Sequence, residues 1–191
     1  MHSPEATLDM LERSAYRKGH VILNSGLHSD VKVEADRLLG YDKYYRPVME
    51  DINELVDRLD VPLIVPVPNG ARRLIRSRAW AMAAPYAYTR KPEKGIFTID
   101  EFYIDIIKKL TRLAVFEDVV STGKSPATMS HTIHKVNPDI NIDLIAILRR
   151  GEVKPEHAAE FASQHYLVER SLPTWSADQC PYREEHATIE L

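Results

Sequence analysis

The chain has 191 residues, 44% of them apolar and 28% charged, which is enough for one domain with a real core. With 25 Lys+Arg against 28 Asp+Glu the formal charge is −3, so the bulk balance recruits neither nucleic acid nor an anionic membrane, and any anion binding must be local. A single cysteine, Cys180, excludes an intrachain disulfide framework and a Cys-rich structural zinc site. No run approaches the ~18 apolar residues of a membrane span. The N-terminus, with Glu5, Asp9 and Glu12, lacks the layout of a signal peptide, so the expectation is a cytoplasmic protein.

No repeat, low-complexity tract or linker divides the chain, and residues 1–191 read as a single domain. Ser3 and Pro4 look like the cap and first turn of a helix whose stripe Leu8, Leu11 and Ala15 ends near Gly19. Residues 20–23 are strand-like and lead into the turn Asn24-Ser25-Gly26. From Tyr45 the apolar residues Val48, Ile52, Leu55, Val56 and Leu59 recur at helical spacing until Asp60 and Pro62. Residues 63–67 read as a buried strand, 71–83 as a helix, 85–89 as a strand and 90–95 as a mobile loop. Residues 113–116 are a short apolar run bounded by charge, as in a strand covered on both faces. Ser125 is placed to cap a helix with Pro126 at its first position, running to about Val136. A strand over 142–148 and a helix over 155–164 complete the pattern. Strands alternating with helices indicate an α/β domain with a mainly parallel sheet, in which ligands sit beyond the carboxyl ends of the strands.

The most informative segment is LAVFEDVVSTGKS, residues 113–125. Its strand delivers two adjacent carboxylates, Glu117 and Asp118, and then enters a small-residue turn, Ser121-Thr122-Gly123, before a helix N-terminus. Backbone N–H groups, hydroxyls and the positive helix end make such a turn a phosphate cradle. Carboxylates beside it would repel the phosphate unless they bind another part of the same ligand, and vicinal ribose hydroxyls answer that need as hydrogen-bond donors.

The strand, acidic pair and Ser-Thr-Gly turn resemble the 5-phosphoribosyl 1-diphosphate (PRPP) signature of type I phosphoribosyltransferases. Three further segments narrow the resemblance to orotate phosphoribosyltransferases. They are GHVILNSGLHSD at residues 19–30, ILRRG at 147–151, and LPTW at 172–175 with Cys180-Pro181 after it. The resemblance implies a parallel sheet flanked by helices, with a small hood formed by residues 1–40 and a tail of residues 166–191. It implies Mg²⁺-dependent transfer of ribose 5-phosphate from PRPP to orotate by a homodimer, with the metal held mainly by PRPP and no protein ligand assigned.

Residue by residue, the resemblance gives Glu117 and Asp118 the ribose hydroxyls. The 5′-phosphate falls to Val120, Ser121, Thr122, Gly123, Lys124 and Ser125. Asn69 and Gly70 stand where the family has its pyrophosphate loop, and Arg72 and Arg73 follow. Arg90, Lys91 and Lys94 match the basic loop that closes over the diphosphate, with Lys91 and Lys94 as catalytic candidates. Ser25, His28 and Arg150 match the base side. The chain departs from the family in Asn69, where a second glycine is usual, in Arg149, where an acid is usual, and in the short 90–95 loop without a His-Gly ending. The alternatives are a type I transferase for another base, and a weakly catalytic PRPP or nucleotide sensor. His131, His134 and Cys180 read as structural residues, no histidine partner being evident for the cysteine. Tyr41, Tyr44 and Tyr45 read as packing.

Overall fold

A computed structural model of the chain describes residues 1–23, 26–77, 83–91 and 96–182. The first helix, α1 (Pro4–Ser14), is capped by Ser3, whose hydroxyl accepts the Ala6 N–H at 3.2 Å. It stops at Ser14 rather than near Gly19, because the next residues are claimed by an antiparallel ribbon. In that ribbon β1 (Tyr16–Ile22) pairs with β2 (His28–Val33) from Tyr16↔Val33 to Ile22↔His28. A 3-10 turn (Ala35–Gly40) leads to α2 (Asp42–Leu59), whose buried stripe is Tyr45, Val48, Met49, Ile52, Leu55 and Val56. Asp60, left-handed at φ 49°, ends it.

The main sheet is parallel, with strand order β3-β6-β7-β8, formed by β3 (Ile64–Pro66), β6 (Arg112–Val120), β7 (Asn141–Arg149) and β8 (Ser163–Glu169). Alternate residues of β6 supply two cores. Ala114 and Phe116 pack with Val48, Ile52, Leu74 and Ile75 on one face. Leu113 and Val115 pack with Ile107, Met129 and Ile133 on the other. The first face carries α1, α2 and α3 (Gly70–Ser77); the second carries α4 (Glu101–Ile107) and α5 (Lys124–His134).

Several boundaries differ from the sequence expectation. Helix α3 ends at Ser77, and residues 78–82 of the expected 71–83 helix lie outside the described residues. The expected 85–89 strand is a bridge between Tyr86 and Ile64, after which β4 (Thr89–Arg90) pairs with β5 (Thr98–Ile99). Arg90 of the expected loop is therefore strand, while residues 92–95 lie outside the described residues. Strand β6 continues to Val120, because β7 runs beside it as far as Val120↔Arg149. The last expected helix is only α6 (Pro155–Ala158), since pairing from Asp143↔Ser163 to Arg149↔Glu169 takes the following residues into β8. Among the described residues no helix is long and apolar enough to cross a membrane.

One polar group lies deep beside the sheet. Asp143 on β7 is buried and accepts from Arg112 Nε at 2.5 Å and from the Ser163 hydroxyl at 2.6 Å, joining three neighbouring strands. Asp143→Ala leaves both donors without their acceptor, and the expected loss is about 2 kcal/mol of unfolding free energy in urea titration. An unchanged midpoint would show that the triad contributes nothing net.

Candidate functional site

The carboxyl ends of β3, β6 and β7 converge. Beyond Val120 the chain turns through Ser121-Thr122-Gly123 into α5, whose N-cap is Gly123 at φ 80°, not Ser125 as the Ser-Pro pair suggested. A Cβ at Gly123 would also meet Val153 Cγ1 at 2.7 Å, so both conformation and space require glycine. His157 Nδ1 donates to the Thr122 carbonyl at 2.7 Å and the Lys154 N–H does so at 3.2 Å, which fixes that carbonyl toward the segment after β7. The first helical bond runs from the Ala127 N–H to the Gly123 carbonyl. The N–H groups of Lys124 and Ser125 are thus left at the positive end of α5 for an anion. Ser121 and Thr122 are half-buried, Lys124 and Ser125 exposed.

Glu117 is buried and Asp118 half-buried at the end of β6, and the Asp118 N–H donates to Glu117 Oε1 at 3.1 Å. Burial pushes the Glu117 carboxyl well above its usual range, with the Asp118 charge adding to the shift, and burial raises Asp118 too. Lys91, whose Nζ lies 5.5 Å from the Phe97 ring centre, acts on Glu117 in the opposite sense. Gly70 lies against Asp118, and an added Cβ would overlap the carboxylate.

The loop carrying Asn69 and Gly70 is braced from β4. Arg72 donates to the Thr89 carbonyl at 2.7 Å and to Asn69 Oδ1 at 3.3 Å, and the Thr89 hydroxyl donates to the Pro66 carbonyl at 2.7 Å. Arg72 and Arg90 both lie over the Tyr88 ring, at 5.5 and 5.1 Å. Arg73 turns away to Asp36 at 2.7 Å.

The β1/β2 ribbon arches beside the end of β7 and gains a third element from the C-terminal tail, where His28 and Trp175 exchange backbone hydrogen bonds of 2.8 and 2.9 Å. Arg150 is buried and donates to the Ser29 hydroxyl at 3.0 Å and the Val31 carbonyl at 3.3 Å. Under this hood lies a cavity of about 870 Å³ lined by Tyr16, Lys18, Asp30, Leu172, Pro173 and Tyr182, among others. The Tyr16 hydroxyl and Asp30 Oδ1 are buried without a hydrogen-bond partner among the described residues.

The fold thus gathers Glu117, Asp118, Lys91, Asn69, Gly70 and residues 120–125, and sets His28 and Arg150 in the adjoining hood. Ser25 and Lys94 lie outside the described residues. Sequence reading named Arg72 only as added charge and gave no part to His157 or to the Tyr16/Asp30 pair, whose places depend on contacts across the chain. It also left Cys180 without a histidine, whereas its Sγ lies 3.5 Å from His20 Nε2. His131 and His134 both face Glu160, and the Tyr45 hydroxyl donates to the Leu74 carbonyl, so these residues are structural.

No family model matches the chain. It is 27% identical over 174 residues to an orotate phosphoribosyltransferase of Thermotoga maritima, covering 91% of this chain and 89% of that protein. Among solved structures it superposes on the orotate phosphoribosyltransferase of Aeropyrum pernix with a TM-score of 0.67 at 21% identity, covering 85% of this chain and 92% of that one. It also matches an adenine phosphoribosyltransferase from Rhodothermus marinus at a TM-score of 0.62 and 14% identity, covering 86% and 99%. The chain therefore resembles the orotate phosphoribosyltransferases along nine-tenths of its length and has the type I phosphoribosyltransferase fold, borne in these cases by enzymes.

The raised Glu117 carboxyl has a thermodynamic signature. Unfolded, the group titrates near 4.5; folded, it holds its proton to higher pH. The native state then binds more protons over that interval, and its stability falls as pH rises from about 4.5 through the folded pKa. Glu117→Gln removes this loss. Its Tm is expected to exceed that of the parent at pH 8 and to converge with it near pH 4. A constant offset across that range would place the effect elsewhere.

Proposed function

We propose that the chain is a phosphoribosyltransferase that moves ribose 5-phosphate from PRPP to orotate, giving orotidine 5′-monophosphate and pyrophosphate, in the cytoplasm. The observation that carries this reading is the junction of three parts at one sheet end: the cradle at residues 121–125, the paired carboxylates, and the Gly70 loop against Asp118. Each part has a counterpart in PRPP, namely the 5′-phosphate, the ribose hydroxyls and the diphosphate.

The bond between ribose C1 and the diphosphate oxygen breaks with its electron pair leaving on the diphosphate, and C1 bonds to a ring nitrogen of orotate that has given up its proton. Positive charge grows on the ribose ring between these events. Once ionised, the poorly solvated Glu117 and Asp118 are stabilised by a cationic neighbour, so their field favours that charge where it develops. Lys91 and Arg90 neutralise the leaving diphosphate. Asn69 and Gly70, braced by Arg72, receive it with backbone groups. Mg²⁺, held chiefly by the diphosphate oxygens, would screen the leaving group's charge. In the hood, Arg150 supplies the cation for the orotate carboxylate.

A second reading, transfer to an uncharged base, is favoured by the inward hydrogen bonds of Arg150. One set of kinetics separates the two. PRPP-dependent loss of orotate absorbance is followed beside uracil, hypoxanthine and adenine, and only orotate is expected to react. Asp118→Asn should lower turnover about 100-fold with little change in Tm. Arg150→Ala should raise the orotate KM ten-fold or more, since charge-assisted bonds are worth about 1.5–3 kcal/mol each, and should do far less to PRPP. Normal turnover in Asp118→Asn, or equal weakening of both substrates by Arg150→Ala, would refute the respective roles.

The active unit is proposed as a homodimer sharing the 90–95 loop. Ile96 and Phe102, 49% and 68% exposed, are large apolar side chains beside that loop in sequence and support a covered surface there. Mixing Lys91→Ala with Asp118→Asn should restore part of the activity through hybrid sites, whereas no recovery after proven subunit exchange would exclude a shared loop.

A further inference from the structure

Away from the carboxylate pair, three side chains with metal-binding atoms meet inside the hood. His20 on β1 and His28 on β2 face each other with Nε2 and Nδ1 2.8 Å apart. Cys180, from the tail, brings its Sγ to 3.5 Å from the same His20 Nε2. All three atoms lie within 4.8 Å of one another. Cys180 and His20 are 2% and 5% exposed, so the cluster is shielded from solvent, and the Tyr182 ring stacks on His20 at 5.7 Å.

Hydrogen bonding alone serves this arrangement poorly. One nitrogen, His20 Nε2, is approached by both a ring nitrogen and a sulfur. If it carries a proton it can aim it well at one of them, and if it does not, its single lone pair accepts from one. A cation seated between the three atoms uses all of their lone pairs at once. Tetrahedral zinc, with Zn–N of about 2.0–2.1 Å and Zn–S of about 2.3 Å, sets N···N near 3.3 Å and N···S near 3.6 Å. The sulfur is already at that separation from His20, the two rings need to part by roughly 0.5 Å, and the sulfur and His28 Nδ1, within 4.8 Å of each other, need to settle near the same N···S distance. Two imidazoles and a thiolate form a borderline-soft set that favours zinc over magnesium or calcium.

We propose that His20, His28 and Cys180 bind one Zn²⁺ that clamps the C-terminal tail to the β1/β2 hood. Binding releases the thiol proton, and the ring that donates in the His20–His28 contact moves its proton to its other nitrogen, so one proton leaves per ion bound. Water completes the fourth position. The ligands come from positions 160 residues apart in sequence at the extremes, so the ion acts as a cross-link between the ribbon and the tail. Because His20 and Tyr182 line the hood cavity, the clamp holds one wall of that cavity in place.

The test uses the whole chain stripped with a chelator and reloaded. One equivalent of zinc is expected to survive gel filtration and to raise Tm by roughly 5 °C or more. Cobalt(II) in its place should give the visible bands of a tetrahedral ion with a near-ultraviolet thiolate-to-cobalt band. Cys180→Ser should lose that band and the zinc, while His131→Ala, altered on the outer face of α5, keeps both. Little or no zinc retained by the parent chain, a cobalt spectrum without the sulfur band, or full zinc retention in Cys180→Ser would each overturn the proposal. Should Cys180→Ser not fold, the parent chain's metal content and cobalt spectrum decide alone.

Discussion

Two carboxyl groups forced together at the dry end of β6 constrain everything around them. Glu117 and Asp118 are adjacent in a strand buried on both faces, and neither ionises there without cost. Nothing in the α/β framework needs that charge. The surroundings are instead arranged to accommodate it: a residue without a side chain at position 70 leaves room for Asp118, and Lys91 turns its field toward Glu117. The same adjacency that makes ionising the pair costly sets it at the mouth of the Ser-Thr-Gly turn.

The hood depends on a smaller group. Ser29, fully buried, accepts from the Arg150 guanidinium and donates to the Pro173 carbonyl at 2.7 Å. One hydroxyl therefore joins the end of β7, the ribbon and the tail. Arg150 also closes its own backbone onto the Val120 carbonyl at 2.8 Å, so the cradle and the hood share a residue as well as a boundary. The Ser-Thr-Gly turn and the hood are in this way mechanically continuous.

Much of this was legible in the sequence because it depends on local chemistry. The apolar run before Glu117, the Ser-Thr-Gly turn and the helix after it identify the cradle without any knowledge of what packs on it. Ser3 and Pro4 mark a helix start for the same reason. What escaped was set by partners far along the chain. Residues 163–169 look helical or indifferent until β7 offers them a ladder, and residues 16–19 leave their helical stripe only because β2 is there to pair with. The meeting of Cys180 with His20 has no signature of spacing at all. Ser125 was preferred as a cap on its side chain, whereas Gly123 takes that place on its backbone, since Val153 leaves no room for a larger residue.

The exchange of hydrogen bonds between His28 and Trp175 also orders events during synthesis. The ribbon leaves the ribosome early, yet the Ser29 hydroxyl finds its carbonyl acceptor 144 residues later. Contacts so distant in sequence form late, after the loop entropy between them has been overcome. The β6–β7 pair and the turn after β6 can form before the tail arrives, so a prematurely ended chain has its Ser-Thr-Gly turn before the ribbon gains its third element.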